Sequence, residues 1–183
     1  MNTYANIQMS DKLPYETVKR FTEAKIPQDI EDSILDVYAN YSIDHDMTTD
    51  DLPSFFNEVG VPPDLSKLVR NDELVIEGTN IVDFQELLRC TYNIFLYAKN
   101  EVVITGLWKR LLEESGRSSQ FPNVTYMNHI ISVKDLQKVA NSVGFADQAA
   151  LINMMSCATH GKRVFMTYLD FAEILGKLGL LKR

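Results

Sequence analysis

The amino-acid sequence predicts an all-α protein of two lobes, each made of two helix–loop–helix units. The main observation is a hexamer that occurs four times in the 183 residues. It reads apolar residue, small polar acceptor, two variable residues, carboxylate, then Leu or Phe. The copies start 35, 49 and 35 residues apart, so they form two matched pairs, and a helical pattern flanks each copy. The four copies are MTTDDL from Met47, VDFQEL from Val82, ISVKDL from Ile131 and MTYLDF from Met166.

Each hexamer predicts the start of a helix. Its hydroxyl or Asp side chain can accept a hydrogen bond from an early helix amide, and the acid three residues later can reach back to the cap. The first residue of the hexamer should be buried by a short extended pairing. Gly60 and Gly144 suit left-handed ends for the first and third of these helices. The predicted cap pairs are Thr48 with Asp51, Asp83 with Glu86, Ser132 with Asp135, and Thr167 with Asp170.

A further helix is predicted upstream of every hexamer, because apolar residues there recur at helical spacing. The repeating unit is therefore helix, loop, one extended residue and capped helix. Two units form a lobe, which divides the chain into an N-terminal tail (1–27), an N-terminal lobe (28–99) and a C-terminal lobe (100–183). The apolar positions are Ile30, Ile34, Leu35, Val37 and Tyr38, then Leu65, Leu68 and Val69, then Leu107, Trp108, Leu111 and Leu112, and last Leu151, Met154, Met155 and Ala158.

Charge limits the partners that the surface can bind. The net charge is -7 and the pI is about 4.9. A surface that follows nucleic-acid phosphates needs clustered Lys and Arg to displace counterions, so direct nucleic-acid binding is not expected. Residues Ile26–Ser66 include ten acids and no Lys or Arg, so a partner of that segment should be neutral or basic.

Other sequence features favour a soluble, intracellular protein without catalytic chemistry. The first residues contain no apolar signal core, and no apolar run is long enough to span a membrane. Cys90 and Cys157 are expected to be free thiols. The three His residues fall in separate loops, and no phosphate loop, nucleophile elbow or HExxH helix is present. We therefore expect no enzyme activity and no cofactor.

The repeated unit resembles the EF-hand superfamily, above all calmodulin and centrin. In those proteins the hexamer covers the end of the metal-binding loop and the first residue of the exit helix. The resemblance implies four loops and places the extra residues of the wide middle spacing in the third unit, within GRSSQFPNVTYMNH. The loops are then Asn40 to Asp51, Val75 to Glu86, Val124 to Asp135 and Thr159 to Asp170.

These loops have degenerated as calcium sites. Calcium needs six to eight oxygen ligands from alternating loop positions, with Gly at the sixth position for the sharp turn. His45 occupies that position in the first loop, and Arg163 places a cation at a ligand position of the fourth. We therefore expect a fold retained after loss of its metal chemistry. The first loop alone keeps a partial oxygen cage, from Asn40, Ser42, Asp44, Asp46 and Asp51.

A lobe of this kind still offers an apolar cleft that can hold an amphipathic partner helix. Met residues suit such a surface because their side chains adapt to shape. The alternative is that these residues only form the lobe core. The apolar segment between the lobes, TYNIFLYAKNEVVITGLW, should be covered either by the lobes or by a partner. By the calmodulin-like register the C-terminal cleft includes Trp108, Leu111, Leu136, Val139, Val143, Met154, Met155, Phe171, Ile174 and Leu175.

Longer strings sharpen the resemblance. SIDHDMTTDDLPSFF, KLVRNDELVIEG, SVKDLQKV, SCATHGKRVFMTYLDF and LGKLGLLK resemble the fungal centrin-like accessory proteins of nucleotide-excision repair. That resemblance implies a protein of the nucleus, with the cytoplasm as a second location. It also implies that the protein binds the xeroderma-group-C-type damage-recognition factor. It implies a monomer within a hetero-complex that holds an amphipathic helix of that factor in its C-terminal lobe.

Two other functions stay open at this point. One is a calcium or magnesium sensor that works through the first loop. The other is a light-chain-like structural protein that clamps a basic amphipathic helix. A metal-dependent change in the fluorescence of Trp108, the sole Trp, would favour the sensor. Copurification with a motor or spindle-pole component would favour the structural protein.

Overall fold

The structure is a computed structural model that describes residues 15–145 and 147–183. These residues are predominantly helical, which confirms the predicted helical secondary structure. The helices are α1 (Tyr15–Thr22), α2 (Gln28–Tyr41), α3 (Leu52–Glu58), α4 (Pro63–Ser66), α5 (Phe84–Lys99), α6 (Glu101–Glu114), α7 (Arg117–Gln120), α8 (Val133–Ser142), α9 (Gln148–Ala158) and α10 (Tyr168–Lys177). Two short strands, β1 (Ile131–Ser132) and β2 (Phe165–Met166), pair in antiparallel register.

The first residues of the four hexamers are buried and paired two by two. Ile131 lies opposite Met166 in the small sheet. In the first half of the chain the amide of Val82 donates to the carbonyl of Met47 at 2.9 Å. All four side chains are buried in the core. The prediction of a short extended pairing ahead of each capped helix is therefore confirmed.

The predicted starts of α5, α8 and α10 are confirmed, with the reciprocal hydrogen bond from the acid at α8 and α10. Ser132 with Asp135 and Thr167 with Asp170 each form a reciprocal capping box at the start of α8 and α10. At the start of α5, the Asp83 carboxylate accepts hydrogen bonds from the amides of Gln85 and Glu86. Such caps satisfy amide groups that have no partner inside the helix.

The first hexamer differs from the prediction. The Asp51 carboxylate accepts hydrogen bonds from the Thr48 amide (2.8 Å) and hydroxyl (3.0 Å), and these bonds lower the pKa of Asp51. However, α3 begins at Leu52 rather than directly after Thr48. Pro53 explains the delay, because proline is tolerated in the first turn of a helix but disrupts a later turn. The exit helix therefore starts with proline at one of its first two positions.

The middle of the chain runs from α5 into α6 with a break at Asn100. Ile94, Leu96, Tyr97 and Ile104 are buried, whereas Val102 is 87% exposed. Most of the apolar segment between the predicted lobes is thus covered by the chain itself. The segment predicted to hold the extra residues of the third unit, GRSSQFPNVTYMNH, includes α7 and a single turn of 3-10 helix.

Helix α1 lies within the segment that the sequence assigned to the tail. It packs against α10, although none of its own residues is buried. The rest of that segment includes residues 1–14, which lie outside the described residues. Among the helices that the structure describes, none combines the length and the apolar character needed to cross a membrane.

Candidate helix-binding cleft

Trp108 is the centre of the predicted cleft region. Helix α6 packs against α8 and α10, and α9 packs against the same two helices. The fully buried Trp108 ring lies 5.3 Å from the ring of Phe171 and 6.0 Å from that of Tyr168, between ring centroids. Its indole N–H donates to the carbonyl of Tyr126 at 2.7 Å. A buried indole with a satisfied N–H fixes the position of α6 against α10.

The ten residues predicted for the cleft lie at three depths. Trp108, Met155 and Leu175 are buried in the core. Val143 is 74% exposed and Met154 is 51% exposed. The remaining five are half-buried: Leu111, Leu136, Val139, Phe171 and Ile174. The structure therefore assigns a packing role to the buried three and leaves the other seven at least partly accessible.

Several exposed apolar residues of the C-terminal half were not among the predicted ten, and three of them lie at the ends of helices. Phe145 follows the end of α8, and Leu178 and Leu180 follow the end of α10; each is about two-fifths exposed. Their position just past Gly144 and around Gly179 put them outside the helical periodicity that guided the prediction. For Phe145 and Leu180, the sequence sign that could have identified them is an apolar residue directly after a helix-ending glycine.

Two surface grooves lie away from these residues. One, of about 420 Å³, follows the exposed side of α6 along Glu101, Val102, Thr105, Gly106 and Lys109. The other, of about 360 Å³, lies between α4 and the 3-10 turn before β1. Neither groove is lined by any of the ten predicted residues. These two grooves therefore lie outside the predicted cleft.

The candidate metal residues of the first loop make other contacts. The Asn40 amide donates to Glu58 at 3.4 Å, and the Ser42 hydroxyl donates to the Tyr38 carbonyl at 3.3 Å. Asp51 is engaged by Thr48, and Asp44 and Asp46 are exposed. In the part of the chain that the structure describes, no three His, Cys, Asp or Glu side chains converge as metal ligands would.

These observations define a small, predominantly helical protein built on four repeated helix starts. No protein-family model and no solved structure matches the chain. It is 48% identical over 173 residues to the DNA repair protein RAD33 of Saccharomyces cerevisiae, an alignment that covers 94% of this chain and 98% of the yeast protein. The chain therefore belongs to the family of the DNA repair protein RAD33.

Proposed function

We propose that this chain is a non-catalytic subunit in nucleotide-excision repair that binds and stabilises the damage-recognition factor of the xeroderma-group-C type. Family membership supports the role in DNA repair. The observation that supports helix binding is the set of accessible apolar side chains on α8, α9 and α10, with Val143 and Met154 the most exposed of those predicted. An apolar helix face of the partner could be buried against such a surface.

The paired, capped helices support an EF-hand-like origin for the fold. Both hexamer pairs are joined through their first residues in antiparallel fashion, as a two-hand lobe requires. The resemblance to centrin then places the partner helix against the C-terminal lobe. We further propose that this binding needs no metal, because the loops lack a complete set of oxygen ligands.

We propose a nuclear location and action through a protein partner rather than through DNA. The net charge of -7 opposes contact with phosphates, and the ten acids of Ile26–Ser66 extend this charge over the N-terminal lobe. The isolated chain should not shift a damaged duplex in a gel at physiological salt. A tight complex of the isolated chain with DNA would contradict this part of the proposal.

The test of helix binding is a charge placed on the accessible apolar surface. Met154→Glu should weaken binding to the purified damage-recognition factor by about tenfold or more, because contacts in the centre of an interface dominate its energy. Binding is measured by calorimetry, and circular dichroism checks the fold. The buried Leu175 is a poorer site for this test, since a Glu there would disturb the core.

Ile152→Glu is the matched control for Met154→Glu. Ile152 lies on the same helix and is 57% exposed, but two residues along a helix turn it roughly 200° away from Met154. The control variant should bind as the unmodified protein does. Equal binding by both folded variants would place the interface elsewhere. Failure of the damage-recognition factor to copurify with the chain from nuclear extract would remove the proposed partner.

A further inference from the structure

Five charged side chains of alternating sign join the two halves of the chain. Arg163, in the loop before β2, donates to the carboxylate of Glu73 and, at 2.5 Å, to that of Asp170. Glu73 lies 3.5 Å from Arg70, which pairs with Asp72 at 2.6 Å. The series is therefore Asp72, Arg70, Glu73, Arg163 and Asp170. Its inner end is shielded from water, since the side chains of Arg163 and Asp170 are 9% and 10% exposed.

Asp170 has two roles in this series. One carboxylate oxygen accepts hydrogen bonds from the Thr167 amide (2.7 Å) and hydroxyl (2.8 Å), which starts α10. The other oxygen accepts the hydrogen bond from Arg163. A carboxylate this buried would be costly without a nearby cation. The guanidinium therefore places a positive charge directly beside the buried carboxylate of the helix cap.

The third hexamer repeats this arrangement with a different arginine. Asp135 is buried and caps α8 through the Ser132 amide (3.0 Å) and hydroxyl (2.7 Å). The Nε atom of Arg117, on α7, lies 3.9 Å from this carboxylate, and Lys138 lies 3.7 Å from its other oxygen. Arg117 and Arg163 come from different places in the sequence, yet each faces the carboxylate at the equivalent position of its own repeated unit, Asp135 and Asp170 respectively.

We infer that Arg163 and Arg117 are built-in cations that neutralise the closing carboxylates of the fourth and third units. Arg163 also ties the fourth unit to the first half of the chain through Glu73. A guanidinium keeps its charge throughout the physiological pH range and offers a rigid fork of donors. Arg163 therefore binds Asp170 through a hydrogen bond, whereas Arg117, 3.9 Å from Asp135, acts on that carboxylate through its charge. In an EF-hand-like loop a bound metal would neutralise these carboxylates, so the idea that the arginines replace a metal rests on the proposed EF-hand-like origin. The ion pairs themselves do not.

The test compares the two arginines of the charged series, one buried and one exposed. Arg163→Met keeps an unbranched apolar stem of similar length but leaves Asp170 buried without its cation. It should lower the midpoint of thermal unfolding of the isolated chain by about 10 °C. Arg70→Met is the matched control, because Arg70 is exposed and its ion pairs among the described residues are with its near neighbours Asp72 and Glu73. This variant should lower the midpoint by about 2 °C or less.

A double variant separates charge neutralisation from packing. In Arg163→Met with Asp170→Asn the side-chain amide oxygen can still accept from Thr167, but no buried charge remains. The decrease in the midpoint of thermal unfolding should be at most half as large in this double variant as in Arg163→Met alone. A double variant as unstable as the single one, or a loss no greater than that of Arg70→Met, would overturn the inference. The measurement uses the isolated chain without a partner. Its outcome therefore does not decide whether the chain binds a partner helix, which the Met154→Glu variant tests separately.

Discussion

Cys90 and Cys157 are both free thiols, as the sequence predicted, but their surroundings differ. Burial, together with the nearby negative charges of Glu73 and Glu86, raises the pKa of Cys90 on α5 to about 12. Cys157 is exposed on α9. Because the thiolate is the reactive form, the two residues should react at very different rates.

The reaction rates of the two thiols test this difference in their surroundings. At pH 8 the native protein should react with Ellman's reagent at one thiol within minutes, and the second should react only after unfolding in denaturant. Cys157→Ser should remove the fast reaction, whereas Cys90→Ser should leave it unchanged. Two fast thiols in the native protein would show that α5 is less well packed than its buried side chains indicate.

Helix α1 depends on its neighbours for its stability. It has eight residues, too few for a stable isolated helix, and buries none of them fully. Its last carbonyls are satisfied by two guanidinium groups: Arg89 donates to the Thr22 carbonyl at 2.7 Å, and Arg183 donates to that of Arg20 at 2.6 Å. Phe21 packs so closely on Gly176 of α10 that a Cβ atom there would lie 2.1 Å from the ring.

Substitution of Gly176 tests the docking of α1. Gly176→Ala would normally favour a helix, but here its methyl group should displace Phe21 and lower the midpoint of thermal unfolding by several degrees. Gly106→Ala on α6 is the matched control, because a Cβ there meets no atom within 4 Å. That variant should be stabilised by about 0.5–1 kcal/mol. Limited proteolysis should also cut α1 faster in Gly176→Ala; unchanged stability and cleavage would contradict the docking.

The elements that the sequence predicted well are those set by local pattern. The hexamers predicted the paired residues Met47, Val82, Ile131 and Met166 because capping and apolar spacing act over a few residues. Helix α1 was missed because its docking depends on Gly176, about 150 residues away. A glycine within the α10 pattern was the only local sign of a close contact. Among the residues predicted for the cleft, periodicity could not separate buried Leu175 from exposed Val143.

Across the whole molecule, polar contacts join segments that are far apart in sequence. Asn100, at the break between α5 and α6, is buried. Its amide group donates to the carbonyls of Leu96 and Lys182, each at 2.8 Å, and its oxygen accepts from the Lys182 amide at 2.8 Å. Beside it, burial raises the pKa of Tyr97 well above its ordinary value. The helix break thus holds the last residues of the sequence against the middle of the chain.

Asn100→Ala should therefore loosen the molecule beyond the site of the change. It leaves the part-buried amide of Lys182 without its acceptor and removes the buried hydrogen bond to the Leu96 carbonyl. This loss costs about 1–3 kcal/mol and should lower the thermal midpoint by roughly 3–10 °C. Hydrogen exchange of the Lys182 amide should accelerate in the same variant. Lys182→Ala is the control, because the contact uses only the backbone of Lys182 and should survive. Slow exchange of that amide in Asn100→Ala would mean that the end of the chain is held by other contacts, such as those of Arg183 with α1.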